Sequence, residues 1–473
     1  MTNKLWDFAA FSNRTALLSE ERTATYGELG EEAERIAACV PPRSLVFLLA
    51  RNSLAAIAGY VGFLQHGIVP VMIDAALDAG LLTALRAAYR PSYAWIPAER
   101  AEAFGTAREV LRKEEYVLLD LEEKRPFPLH ADLALLMTTS GSTGSPKLVR
   151  QSYENLRANT ASIVEYLHLD ETERAVTNLP LHYVYGLSIL NTHLAAGASL
   201  VVTERTLFDR AFWQIVREQE VTSLAGVPYT YAMLKRLRFF RMELPALRTL
   251  TQAGGKLDPE LHREFAAFAQ THGKHFVVMY GAAEATARMG YLPPQYALEK
   301  IGAMGIAIPG GRFELVDEAG KEITDTDTVG ELVYYGANVT LGYAESGADL
   351  ARGDERGGRY ETGDLARRDA DGYYTVVGRK RRFLKMFGKR TNLQEVEHIL
   401  RQHFGEIEVA CAGIDDNLYI FVTQEELVPE IVPFLSAKLG LHHSAFTAQC
   451  IASIPKNASG KTIYRELEQY YDV

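Results

Sequence analysis

Apolar positions along this chain fall into two rhythms. In the first two-thirds, short unbroken apolar runs alternate with stretches whose apolar residues recur every three or four positions. Ser44–Leu49, Ile68–Ile73 and Tyr93–Ile96 predict strands, with helices at Leu54–Gln65 and Leu81–Tyr89 between them. The rhythm returns with strands at Ser199–Thr203, Thr222–Gly226, Leu247–Gln252 and Phe276–Tyr280, and helices at Ala211–Glu218 and Leu261–Thr271. Regular strand–helix alternation predicts an α/β fold of parallel sheets covered by helices. After Pro309 the pattern changes: Arg312–Val316, Gly330–Tyr334 and Gly372–Val377 are short β-rich pieces separated by Asp/Gly turns, which predicts a smaller barrel-like subdomain at about 310–380. A basic run, Arg379-Lys380-Arg381-Arg382 with Lys385, Lys389 and Arg390, reads as a linker. A helix near Leu393–Phe404 and short strands follow, so 381–473 is expected to form a small α+β domain behind a core of 1–380.

Length and charge narrow the classes. A chain of 473 residues exceeds one ordinary core. Its net charge of −10 disfavours broad binding to nucleic acid or an anionic membrane. No apolar stretch approaches the roughly 20 residues of a membrane span. Cys39, Cys411 and Cys450 show neither zinc spacing nor a disulfide framework, and a reducing cytoplasm is the simplest expectation.

The densest chemistry follows the apolar run Leu133–Met137. Thr138, Thr139, Ser140, Gly141, Ser142, Thr143 and Gly144 lead through Ser145-Pro146 to Lys147. A helix is expected next, with Leu156, Thr160, Ile163, Val164 and Leu167 on one face. Glycines let backbone N–H groups approach a ligand, hydroxyls add donors and Lys147 adds charge, so the loop suits phosphate. It is not a Walker A loop, because the only Gly-Lys-Thr, Gly460-Lys461-Thr462, has Pro455 where a glycine is required. A plain surface connection is the competing reading of the loop alone.

The loop resembles the phosphate-binding signature of the acyl-adenylate-forming superfamily: acyl-CoA synthetases, adenylation domains of peptide synthetases, and luciferases. Further segments resemble that family's motifs in family order: Pro180-Leu181-His182 with Gly186, Gln252-Ala253-Gly254-Gly255-Lys256, Tyr280-Gly281-Ala282-Ala283-Glu284, Gly330-Glu331-Leu332, Gly342-Tyr343, Tyr360-Glu361-Thr362-Gly363-Asp364, Asp371-Gly372-Tyr373, Gly378–Arg382 with Lys385 and Gly388, and Pro455–Lys461. The resemblance implies a large amino-terminal domain and a small mobile carboxy-terminal one. It implies ATP-dependent conversion of a carboxylic acid to acyl-AMP with release of pyrophosphate, then transfer to CoA or to the phosphopantetheine of an acyl carrier protein.

Roles follow by position in those motifs. Glu284 would ligate Mg2+, which needs only one or two carboxylates. Lys461 would bridge the acid and the α-phosphate, placing positive charge where negative charge develops. Asp364 would accept both ribose hydroxyls, with Arg379 beside it, and Tyr280 and Gly281 would lie at the adenine with Gly254, Gly255 and Lys256. His182 would stand at the acyl entrance. Tyr183, Tyr185, Ala225, Gly226, Arg288 and Met289 are acyl-pocket candidates, and Arg288 is suited to a second carboxylate or polar substituent. Arg381 takes the hinge position, while Lys385 and Gly388 would face the thiol tunnel. No carboxylate accompanies His182 in its segment, which argues against α-amino acids as substrates.

Two departures stand out. Ala283 replaces the usual threonine and removes a hydroxyl donor to the α-phosphate; Thr286 is the nearest replacement in sequence. Leu148 stands where glycine is common. The region before Thr138 and the small domain are both short for the family. A ligase with a non-thiol acceptor, a luciferase-like oxygenase and a catalytically weak nucleotide-binding relative therefore remain as alternatives.

Overall fold

The computed structural model describes residues 5–123, 125–138, 147–386, 389–405, 407–414, 416–457, 460 and 462–471. By contact density the chain divides into two compact units, Met1–Phe313 with Tyr334–Tyr360, and Glu314–Val333 with Glu361–Val473.

The first unit carries two large sheets. One has eight strands in the order Gly342–Ala344, Leu148–Ser152, Leu133–Thr138, Val69–Asp74, Leu45–Ala50, Tyr93–Pro97, Tyr116–Asp120, Arg108–Lys113. The other has nine: Ile306–Ala307, Gly290–Leu292, His275–Tyr280, Thr249–Gln252, Ser223–Gly226, Arg174–Val176, Ser199–Val201, Thr15–Leu18, Thr23–Thr25. Their middles are parallel, as the strand–helix alternation predicts. Their edges are not. The pairs Leu133–Thr138/Leu148–Ser152 and His275–Tyr280/Gly290–Leu292 run antiparallel.

The predicted helices form where expected, because each has a buried face, and those that begin after Ser53, Asp78, Ser152 and Asp258 are also capped by that side chain. Helix Leu54–Gln65 begins on Ser53, whose hydroxyl accepts from Ala56 N–H, and every residue from Leu54 to Leu64 is buried. It lies in a core that joins Leu48 and Met72 of the eight-stranded sheet to Leu200 of the nine-stranded one, with Leu187 and Leu190 of helix Val184–Ala195 in the same cluster. Helix Tyr153–Leu167 starts with a reciprocal capping box between Ser152 and Asn155. One element differs from expectation. A strand, Leu148–Ser152, separates the hydroxyl-rich loop from this helix. It escapes a hydropathy reading because Arg150 is fully buried in it, its guanidinium donating to the carbonyls of Tyr343 at 3.0 Å and Leu341 at 2.9 Å and pairing with Glu355.

A four-stranded sheet of Gly311–Val316, Gly330–Gly336, Arg359–Arg368 and Tyr374–Arg379 precedes in sequence a small α+β body of the second unit. There the hairpin Val409–Ile414/Asn417–Val422 and the parallel strand Phe446–Cys450 are packed by helices Leu393–Phe404 and Val428–Leu439. Arg382, part of the basic run, is not solvated. It is buried, donates to Glu397 at 2.7 Å and to Cys411 O at 2.8 Å, and lies 3.5 Å over the Tyr464 ring. Lys380 pairs with Glu331 at 2.6 Å. Among the described residues no helix is long and apolar enough to cross a membrane.

Candidate active site

In open parallel sheets, ligands bind beyond the carboxyl ends of the strands. Here those ends deliver Asp74, Gly226, Gln252 and Tyr280. The chain leaves the strand at Tyr280 and folds back sharply, so that Met289 N–H donates to Tyr280 O at 2.8 Å. Gly281 makes this return possible, since a Cβ there would stand 1.7 Å from Ala287 O. The returning loop raises Glu284, a half-buried carboxylate, above the sheet edge.

Glu284 is held from several directions. Its carboxylate accepts from the Tyr343 hydroxyl at 2.5 Å, and its carbonyl accepts from Thr340 N–H and Oγ1, both at 3.0 Å. Burial, followed by the negative charge of Glu284, pushes the Tyr343 phenol up to about 12, so it stays a donor at neutral pH. Two cations face the same ring, Lys147 with Nζ 3.7 Å from the centroid and Arg356 with its guanidinium carbon at 4.8 Å. Lys147 also lies 3.8 Å from Glu345. One carboxylate near two cations suits a polyphosphate and a hard cation. A single carboxylate fits magnesium, which keeps water and takes phosphate oxygens for its other ligands.

Thr286 does not offset the Ala283 departure. Thr286 is buried in a left-handed conformation, φ 62°, and donates to Asn338 O at 2.7 Å. The carbonyl of Ala283 accepts from Gln151 Nε2 at 3.4 Å.

The two loops assigned to acid and adenine meet. Gly254 has φ 84°, and a Cβ there would lie 2.6 Å from the Tyr183 hydroxyl and 3.0 Å from Val227 Cγ1. Gly255 and Lys256 are exposed. His182 Nε2 lies 3.7 Å from Asp74 Oδ2, and its Nδ1 is buried without a partner. Burial lowers the imidazole pKa and Asp74 only partly offsets it, which favours the neutral ring.

Beneath this edge, between the nine-stranded sheet and helices Tyr153–Leu167 and Val184–Ala195, lies a cavity of about 30 Å³. Of the six acyl-pocket candidates, Tyr185, Ala225 and Arg288 line it; Tyr183, Gly226 and Met289 do not. Met279, Thr251 and His193 line it without having been anticipated. His193 sits on a largely apolar helix, and no local pattern distinguishes it.

In the second unit, Asp364 is buried and pairs through Oδ1 with Arg379 Nε at 2.9 Å across the strand pair, while Arg379 itself is mostly exposed. Thr362 Oγ1 fixes the turn by donating to Leu332 O at 2.7 Å and accepting from Asp364 N–H at 3.0 Å. Thr139, Ser140, Gly141, Ser142, Thr143, Gly144, Gly388 and Lys461 lie outside the described residues, as do the side chains of Arg381 and Lys385. Arg356 was missed by sequence reasoning, since it belongs to no motif and reaches Tyr343 from a turn.

Residues 6–344 match the family of AMP-binding enzymes. The chain is similar to the sulfoacetate–CoA ligase of Cupriavidus necator, 31% identical over 343 residues, which cover 69% of this chain and 65% of that protein. It is also similar to the indoleacetate–CoA ligase of Aromatoleum aromaticum, 24% identical over 96% of this chain and 95% of that one. Its fold is that of the O-succinylbenzoate CoA synthetase (MenE) of Bacillus subtilis in complex with AMP, with a TM-score of 0.79, 22% identity, and coverage of 99% of this chain and 98% of that one.

Proposed function

The chain belongs to the AMP-binding enzyme family, and from that premise we propose that it is an AMP-forming acid–CoA ligase. The carboxylate of a small organic acid attacks the α-phosphate of ATP, giving acyl-AMP and pyrophosphate. The CoA thiol then attacks the acyl carbon and releases AMP. The observation that carries this reading is the Glu284–Tyr343–Lys147 cluster at the strand ends, within the matched family region. Two anions must meet in the first step, and the cluster supplies what that requires. Magnesium held by Glu284 would neutralise phosphate oxygens. Tyr343 fixes the orientation of that carboxylate, and Lys147 and Arg356 bring positive charge to the polyphosphate.

The remaining assignments are part of the proposal. Asp364 and Arg379 would bind the ribose, and Lys461 would bridge acid and α-phosphate. The small domain 381–473 would turn about Arg381 to bring Lys385 and Gly388 to the thiol path. Coenzyme A is the acceptor that the ligase relatives favour. A carrier-protein phosphopantetheine is the second acceptor to test. Pyrophosphate exchange with a panel of acids, followed by mass spectrometry for thioester with CoA or a loaded carrier protein, decides the matter. A protein that binds no ATP in the presence of Mg2+, or that exchanges pyrophosphate with no acid, would not be such a ligase.

A further inference from the structure

The cavity below Tyr185 is not an ordinary apolar pocket. Its wall contains Arg288, only 3% exposed, and no Asp or Glu. Among the described residues no carboxylate lies within ion-pair distance of this guanidinium. It rests 4.0 Å over the Tyr185 ring, with Nε donating weakly to Met279 Sδ at 3.4 Å, and it hydrogen-bonds the Tyr166 side chain, so its partners are neutral groups only. An unpaired buried cation is strongly disfavoured, and charges in such places are normally paired. Three hydroxyls of the wall already have partners. Ser188 Oγ donates to Tyr185 O at 2.7 Å, Thr192 Oγ1 to Ser188 O at 2.9 Å, and Thr251 Oγ1 accepts from the Tyr185 hydroxyl at 2.8 Å.

A second orphan lies on the same wall. Tyr185, Ser188, Ile189, Thr192 and His193 share one face of helix Val184–Ala195 at spacings of three and four, and all line the cavity. His193 Nδ1 is 2.9 Å from Ile189 O, which can only accept, so Nδ1 carries the proton. Burial favours the neutral ring, which leaves Nε2 a bare lone pair, buried and without a partner. The buried cation without a carboxylate partner is the sign of an anionic guest, while the bare Nε2 calls for a donor such as a water or a hydroxyl beside it. The space fits a small guest, since a water needs about 10–15 Å³ by this measure, so the cavity holds about two waters or one carboxylate-sized group.

We propose that this cavity selects the acid: the substrate carries, at the end away from the reacting carboxylate, a second anionic group of carboxylate or sulfonate size that seats on Arg288. This rests on the acid–CoA ligase reading and names its substrate class. Dianionic acids short enough to span from the strand ends to the cavity are accepted. Monoacids of equal length leave Arg288 buried and unpaired and are discriminated against.

The test uses the full-length protein and matched pairs of acids, such as succinate against butyrate and sulfoacetate against propionate, read by pyrophosphate release. The dianion of at least one pair should exceed its monoanionic partner about 10- to 100-fold in kcat/KM, the worth of one or two charge-assisted hydrogen bonds. Arg288→Met should collapse that ratio towards one by raising KM for the dianion, and Arg288→Lys should restore part of it. If Arg288→Met does not fold, the wild-type ratios decide alone. Equal use of both members of each pair, or a ratio that survives Arg288→Met, overturns the proposal while leaving the ligase reading intact. Absence of pyrophosphate release with every acid overturns both.

Discussion

Replacing Tyr343 by phenylalanine removes one oxygen and little else, because the ring that receives Lys147 and Arg356 is retained. What is lost is the 2.5 Å hydrogen bond to the Glu284 carboxylate. A hydrogen bond to a charged acceptor contributes about 1.5–3 kcal/mol. Losing the group that orients a metal ligand typically costs about 10–100-fold in metal affinity. The two figures agree, since about 1.4 kcal/mol corresponds to tenfold. Pyrophosphate exchange titrated with Mg2+ at saturating ATP and acid should therefore show the half-saturating Mg2+ concentration of Tyr343→Phe displaced upward by about 10-fold or more. Tyr343→Leu removes the ring as well and should also raise KM for ATP, because each cation loses a contact of about 0.5–2 kcal/mol. A Phe variant with wild-type Mg2+ dependence would refute the placement of the metal on Glu284. A Leu variant no worse than Phe would refute the role of the ring as a seat for the two cations.

Other outcomes follow from the same geometry. Lys461→Ala should nearly abolish acyl-AMP formation while sparing thioester formation from supplied acyl-AMP, and normal adenylation by this variant would sink the lysine assignment. His262 is buried with Nε2 2.9 Å from Ala297 O and Nδ1 accepting from Gly302 N–H, and burial lowers it to about 4. Its neutral form belongs to the folded state, so its contribution is complete above about pH 6.5 and is lost as pH falls towards 4, about 3 kcal/mol in all. Denaturant unfolding from pH 7 to 4.5 should show this slope, and His262→Gln should flatten it. Glu397 receives both Arg382 and Cys411 N–H at 2.7 and 2.8 Å, so Glu397→Ala should destabilise the small α+β body by about 3–5 kcal/mol by thermal unfolding; a smaller loss would show the pair to be dispensable.

Elements with a plain apolar signal were legible in advance. The wholly buried helix Leu54–Gln65 and the one-sided helix Leu393–Phe404, which buries Leu393, Val396 and Leu400, begin and end where the pattern places them. What escaped were polar residues turned inward. Arg150 conceals a strand, Arg382 hides among basic neighbours that imply solvent, and His193 sits on a buried helix. Each is made tolerable by partners distant in sequence or, for His193, lacks one, and no local window records either condition. For the site, motif order singled out Glu284 and Lys147 but not their relation, which depends on Tyr343, from the strand paired with Leu148–Ser152, and on Arg356, from a turn.

The substitution of Ala283 for threonine gives the strongest reason to doubt that such a site is catalytic, and its size can be bounded. Thr286 cannot supply the missing hydroxyl without abandoning Asn338 O, so among the described residues it does not replace the donor. One charge-assisted hydrogen bond is worth about 1.5–3 kcal/mol, or about 10- to 150-fold in rate. Enzymes commonly accelerate their reactions by about 10⁶-fold or far more, so that loss slows a ligase without turning it into a mere binder. The charges that let two anions approach, on Lys147, Arg356 and a cation held by Glu284, do not depend on that hydroxyl. Restoring it gives the decisive comparison. If Ala283→Thr raises pyrophosphate exchange by about 10-fold or more, the α-phosphate lies beside residue 283 and the native chain is an attenuated ligase. If the rate is unchanged, the phosphate lies elsewhere, and the role taken from the family's threonine does not transfer to this chain.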